Sequence, residues 1–145
     1  MNEVTKPGAI AATQDPLLHL FLVEDSEILR DLLLESLATI PGIVVDGSAD
    51  SEDDAFQRLH DSRCDIVIVD IQLKQGNGIS LLRRLAARSG KSGLINVVLS
   101  NNSGAAYRRV IKEFEICFFF DKTTEFSDLQ QLLNKLGAGV DARTL

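Results

Sequence analysis

Short apolar runs alternate along the chain with longer segments whose apolar positions recur three or four residues apart. The first pattern predicts strands buried on both faces, the second amphipathic helices. Leu17 to Val23 is the first predicted strand. A helix follows from about Ser26 with Leu29, Leu32, Leu33, Leu37 and Ile40 as its inward face, and Pro41-Gly42 stops it. Ile43 to Gly47 reads as a short second strand, and Ser51 to His60 as a helix with Ala55, Phe56 and Leu59 inward. Cys64 to Val69 is nearly all apolar, as a central strand should be. Gly76-Asn77-Gly78 turns the chain into a third helix with Ile79, Leu82, Leu85 and Ala86. Ile95 to Leu99 is the fourth strand, and Ala105 to Phe114 the fourth helix, with Tyr107, Val110, Ile111 and Phe114. Ile116 to Phe120 is the fifth strand. Thr123-Thr124-Glu125 then opens a last helix, its hydroxyls expected as caps, with Phe126, Leu129, Leu132, Leu133 and Leu136 as its stripe. Strands that each lead into a helix predict an α/β fold: a five-stranded parallel sheet, doubly wound, with right-handed crossovers covering both faces.

Composition narrows this picture. A length of 145 residues, 45% of them hydrophobic and 25% charged, fits one soluble globular domain. The net charge of -6 and pI near 4.8 argue against a sequence-independent grip on nucleic acid, so no nucleic-acid partner is expected. No stretch reaches the roughly 18 apolar residues of a membrane span, and no membrane partner is expected. Residues 1–16 carry Pro7-Gly8 and Asp15-Pro16 without an apolar core, and read as a flexible lead-in rather than a signal peptide. Cys64 and Cys117 lie beside apolar runs, outside any C-x-x-C pair, and read as buried free thiols in a reducing cytoplasm. His19 and His60 lack metal-ligand spacing.

In a doubly wound sheet the chemistry sits beyond the carboxyl ends of the strands. There the first strand ends in Glu24-Asp25, the third in Asp70, the fourth in Ser100, and the fifth runs on to Lys122. Each residue has an ordinary reading on its own: Asp25 or Ser26 as a helix cap, Asp70 as a turn cap, Lys122 as a solvated loop lysine. Their convergence on one edge is what carries a functional reading. Three carboxylates from adjacent strands repel unless a hard divalent cation such as Mg²⁺ lies among them, bound by oxygen and keeping water ligands. A carboxylate is also a competent nucleophile toward phosphorus. The charge that builds on a transferred phosphoryl group can be met by metal, ammonium and hydroxyl.

Glu24-Asp25, Asp70, Ser100 and Lys122, with gaps of 45, 30 and 22 residues from Asp25 onward, resemble the signature of the receiver domains of two-component response regulators. The resemblance runs from about Leu17 to Leu136 and implies the flavodoxin-like (βα)5 strand order 2-1-3-4-5. It implies domain limits of 17–137 for the receiver and 138–145 for a short tail. It further implies phosphorylation of Asp70, with Lys122 and Ser100 as the other active residues. Mg²⁺ would be held by Asp25 and Asp70, by Glu24 through water and by the backbone carbonyl of Gln72. The implied donor is a sensor histidine kinase or histidine phosphotransfer protein. With only 137–145 after the last helix, output is expected in trans through an unknown downstream protein, and a homodimer is left open. The domain would be a cytoplasmic signalling switch that catalyses only its own phosphorylation and dephosphorylation.

Phe119, three before Lys122, falls at the family's aromatic switch position, though Phe118, Phe119 and Phe120 also read as plain core. Gln72 and Asn102 fall where side chains flank hydrolytic water in the family. Thr123 follows Lys122 where family members usually have proline, so a trans bond and an altered loop are expected. One rival function keeps the fold, a receiver-like interaction module independent of phosphorylation; a second, of a different class, is an enzyme on a similar sheet, an aspartyl phosphohydrolase of the haloacid dehalogenase type. The intact acidic set argues against the first. Asp70-Ile71-Gln72 lacks the second aspartate that the phosphohydrolase needs. A flavodoxin is disfavoured by the acidic turn Glu24-Asp25-Ser26-Glu27, where a phosphate cradle would offer bare amides.

Overall fold

A computed structural model of the protein describes residues 17–88, 93–101 and 105–145. The elements follow the predicted alternation: β1 Leu18–Val23, α1 Glu27–Leu37, β2 Ile43–Ala49, α2 Glu52–Leu59, β3 Ile66–Asp70, α3 Gly78–Ala86, β4 Ile95–Ser100, α4 Ala105–Ile111, β5 Cys117–Asp121 and α5 Phe126–Gly137. The strands form one parallel sheet in the order β2-β1-β3-β4-β5, the order expected.

Every residue of β3 and β4 is buried, which explains their unbroken apolar runs: each face of a central strand meets a helical layer. Alternate residues sort to the two faces. Leu20, Leu22, Ile66, Ile68, Val97 and Leu99 pack with Leu33 and Leu37 of α1 and Leu129 and Leu133 of α5. Phe21, Val23, Val67, Val69 and Val98 pack with Ala55 and Leu59 of α2 and Ile79, Leu82 and Leu85 of α3. In the β5 run, Phe118 and Phe120 join the first cluster and Phe119 the second.

Local signals set the helix starts. Ser26 Oγ accepts the Leu29 amide of α1, Ser51 Oγ the Asp54 amide of α2, and Asn77 Oδ1 the Ile79 and Ser80 amides of α3. The helices depart from the expected faces and caps at several points, and Phe126, expected in the stripe of α5, is 37% exposed. Leu32 is 57% exposed because α1 turns the line Leu29, Leu33, Leu37 to the sheet, which leaves Leu32 off it. On α3, Leu81 is buried where Ala86 was expected. The expected Thr caps of α5 are absent: Glu125 is its N-cap residue without a side-chain bond, and the Thr123 hydroxyl donates to Asp121 instead.

At the amino ends of the strands, Gly42 (φ +85°) and Gly137 let the turn before β2 touch the last residue of α5. A methyl group at Gly137 would lie 2.1 Å from the Pro41 carbonyl oxygen. Residues 138–145 carry a single 3-10 turn, Ala142–Thr144, with Ala142 buried and Arg143 paired to Glu115 at 3.0 Å. Cys64 and Cys117 are free, and burial pushes both thiols up to about 12, well away from reactivity. Among the described residues no helix is long and apolar enough to cross a membrane.

Candidate functional site

Parallel pairing carries the ends of β1, β3, β4 and β5 to one edge. Val23 pairs with Val69, so Glu24 and Asp25 emerge beside Asp70. Asp70 pairs with Leu99 and Ser100 with Asp121, and the Lys122 amide donates to the Ser100 carbonyl at 3.0 Å. The Lys122 ammonium therefore reaches back over the edge. It donates to Asp70 Oδ2 at 2.7 Å and lies 2.9 Å from Glu24 Oε1. Glu24, Asp25 and Asp70 each offer a carboxylate oxygen within 4.8 Å of the others. Glu24, Asp70 and Ser100 are buried, whereas Asp25 is partly open to solvent.

Backbone amides of the adjoining loops fix each carboxylate. Glu24 Oε2 accepts the Ser26 amide at 3.0 Å, Asp70 Oδ1 the Gln72 amide at 3.2 Å, and Asp25 Oδ2 the Lys74 amide at 2.5 Å. One oxygen remains poorly served. Glu24 Oε1 is buried and accepts no well-directed hydrogen bond, despite its proximity to Lys122. Burial raises the Glu24 and Asp70 carboxyls above the ordinary range, and the nearby Lys122 charge and their bonds to backbone amides only partly offset this. For Lys122 burial acts in the opposite sense. Its bond to Asp70 and its ion pair with Glu24 outweigh burial and raise the ammonium. At this edge a single ammonium lies among three carboxylates, two of them buried, and a cation suits that place.

The loop after β5 shows what replaces proline. The described residues contain no cis peptide, as expected for Lys122-Thr123. Asp121 Oδ1 accepts the Thr123 amide at 2.8 Å, the Thr123 hydroxyl at 2.7 Å and the Thr124 amide at 3.1 Å. The Asp121 amide in turn donates to Glu125 Oε1. A polar turn built on Asp121 thus shapes the backbone that presents Lys122. Nothing marked Asp121 in the sequence except the adjacent threonines. Phe119 is half-buried with the Arg108 guanidinium stacked on its ring at 4.4 Å from the centroid, so it lies between core and surface. Gln72 opens the loop after β3 and pairs across it with Asn77. Asn102 lies outside the described residues.

This doubly wound α/β domain gathers its acidic cluster and lysine beyond the carboxyl ends of the strands, where such sheets bind their ligands. The chain belongs to the response regulator receiver domain family, whose model matches residues 20–134. Similar proteins include the DNA-binding transcriptional activator DevR/DosR of Mycobacterium tuberculosis, 38% identical over 72 residues, which span 50% of this chain and 33% of that protein. The regulatory protein VirG of Agrobacterium tumefaciens is 40% identical over 89 residues, 61% of this chain and 32% of VirG. A protein-glutamate methylesterase/protein-glutamine glutaminase of Nitrobacter hamburgensis is 30% identical over 97 residues, 67% of this chain and 25% of the enzyme. The chain thus spans a quarter to a third of the length of these relatives. Among solved structures, two RcsB dimers bound to two parallel DNAs superpose with a TM-score of 0.74 at 19% identity, over 88% of this chain and 66% of RcsB. A LuxR-family two-component response regulator from Aurantimonas superposes equally well, at 22% identity over 85% of this chain and 86% of that one. These two likenesses concern the fold.

The expectation of no nucleic-acid partner is corrected by these findings. Relatives of this chain include a DNA-binding activator, and RcsB, which shares its fold, is seen bound to DNA. Net charge misled because it sums over the whole chain, whereas contact with DNA is decided by the charge of whichever surface meets the phosphates.

Proposed function

We propose that the chain is a phosphorylation-dependent switch that accepts a phosphoryl group on Asp70 from a histidine kinase or a histidine phosphotransfer protein, and then changes its partner binding. An Asp70 carboxylate oxygen forms the new bond to phosphorus, while the bond from phosphorus to the donor's imidazole nitrogen breaks and its electron pair stays on that nitrogen. The observation that carries this reading is the 2.7 Å bond between Lys122 Nζ and Asp70 Oδ2 inside a cluster of three carboxylates. Lys122 orients the nucleophile before transfer and neutralises phosphoryl oxygens after it. Ser100, buried at the end of the neighbouring strand, donates its hydroxyl to the new group and passes the event to Phe119.

The donor set suits Mg²⁺: it is all oxygen, it carries excess negative charge, and it includes a buried carboxylate oxygen without a well-directed partner. Asp25, Asp70 and the Gln72 carbonyl would hold the ion directly and Glu24 through water. When bound, it supplies positive charge to the transferring phosphoryl oxygens. This reading calls for a cytoplasmic location, and the DNA-binding activity named for DevR/DosR supports DNA as the eventual target of the switch.

Incubation with acetyl phosphate tests the core claim. Wild type should acquire one acid-stable, base-labile phosphoryl group in the presence of Mg²⁺ and none in excess EDTA. Asp70→Asn should not label while keeping its secondary structure. Wild-type labelling of that variant would refute the assignment.

A further inference from the structure

We infer that Glu52, at the start of α2 and outside the acidic cluster, is a positioning residue that holds the loop between β3 and α3 in the shape the metal site needs. This rests on the reading of that site given above. The loop leaves Asp70, presents Gln72 and Lys74 to the cluster, and returns through Gln75, Gly76 and Asn77 to α3. Glu52 grips the returning arm with both its backbone and its side chain. Its amide donates to the Gln75 carbonyl at 3.0 Å, and its Oε1 accepts the Asn77 amide at 2.9 Å. Oε2 accepts the Ser80 hydroxyl at 2.7 Å and pairs with Arg84 at 3.0 Å.

Sterics close the same grip. Gly76 has φ +97°, and a methyl group there would lie 2.3 Å from Glu52 Cβ. A methyl group at Gly78 would lie 2.3 Å from the Asp70 carbonyl oxygen, so the base of the loop is equally tight. Gln72 pairs with Asn77 across the loop, and the Gly78 amide donates to the Ile71 carbonyl at 2.8 Å. Fixing Asn77 therefore fixes Gln72, whose amide orients Asp70 and whose carbonyl is the backbone ligand proposed for the ion. With 13% of its side chain exposed, Glu52 is sheltered from water. Burial favours its protonated form, but the bonds from Ser80, Asn77 and Arg84 outweigh burial and keep it ionised. A carboxylate that served only to tie α2 to α3 would need Arg84 and Ser80. The two bonds to Gln75 and Asn77 serve the loop.

The test compares Mg²⁺ binding by calorimetric titration, together with amide exchange of Gln72 and Asn77 in EDTA, for the full chain and three variants. Glu52→Ala should weaken Mg²⁺ by about tenfold, as loss of a partner that orients ligands does, and should speed both amides. Glu52→Gln retains an oxygen for Asn77 and should fall between it and wild type; it carries the test if Glu52→Ala does not fold. Arg84→Ala breaks the helix-to-helix ion pair but leaves the loop bonds, and should bind Mg²⁺ as wild type does. Wild-type Mg²⁺ affinity in the Glu52 variants, or equal weakening by Arg84→Ala, overturns the role of Glu52 alone. If wild type itself neither binds Mg²⁺ nor labels at Asp70, the reading of the site fails and the inference falls with it.

Discussion

Lys122→Met removes the ammonium at the centre of the site and keeps an unbranched chain of similar length. In the native protein Lys122 is 9% exposed and faces Asp70 at 2.7 Å and Glu24 at 2.9 Å, both carboxylates being buried. Charge-assisted bonds contribute about 1.5–3 kcal/mol each. Removing one partner of a buried pair costs about 3–5 kcal/mol. Relief from burying the ammonium offsets part of this, so the variant should lose about 3 kcal/mol at neutral pH without metal. For a domain of this size that is about 10 °C in melting temperature.

The pH dependence is the sharper test. Glu24 and Asp70 already titrate above their ordinary values of 4.5 and 3.8, so the folded state holds their protons more tightly than the unfolded chain. Stability then falls as pH rises from the unfolded value through the folded one. Without the ammonium both carboxyls move further up. The fall extends to higher pH, with a slope of about 1.4 kcal/mol per pH unit for each proton retained. Below the ordinary carboxyl values Lys122 has no charged partner, and the deficit of the variant should close. It should also close at strongly alkaline pH. There Lys122, whose folded value is raised above 10.5, loses its proton and with it the stability it contributes at lower pH. Urea denaturation in EDTA at a series of pH values measures this. A deficit that stays constant from acid to neutral pH, or no deficit at all, would refute the electrostatic account of the site.

Asp25→Ala should raise the Mg²⁺ needed for half-maximal labelling by about tenfold or more, yet in EDTA it should be at least as stable as wild type, because one repelling carboxylate is gone. Ser100→Ala should still accept phosphate but respond little to a beryllofluoride mimic in a partner-binding titration, whereas wild type should shift by about one to two orders of magnitude. A full response would remove Ser100 from the coupling to Phe119. Gly78→Ala should cost about 1–3 kcal/mol in denaturant unfolding, since its methyl group would lie 2.3 Å from the Asp70 carbonyl oxygen. An unchanged midpoint would show that the base of the loop yields freely.

The sequence by itself determined the layer order and the edge where the charged residues meet. Unbroken apolar runs and three-to-four-residue apolar periods are local properties. Once a parallel sheet follows from them, Glu24, Asp25, Asp70, Ser100 and Lys122 must emerge together, because parallel strands end on the same side. Tertiary structure decided what pairs with what at that edge. Asp121 and the Thr123 hydroxyl bond each other instead of the threonines capping α5, because a short polar loop can satisfy its amides in more than one way. Leu32 reads as core by type and spacing, yet only the packing of Leu33 and Leu37 into the cluster with Leu20 and Leu22 chose which leucines face inward. Glu52 reads as an ordinary acid in the first turn of a helix. Its hold on Asn77, 25 residues away, exists only because α2 and α3 pack on the same face of the sheet, and no local pattern encodes that neighbourhood.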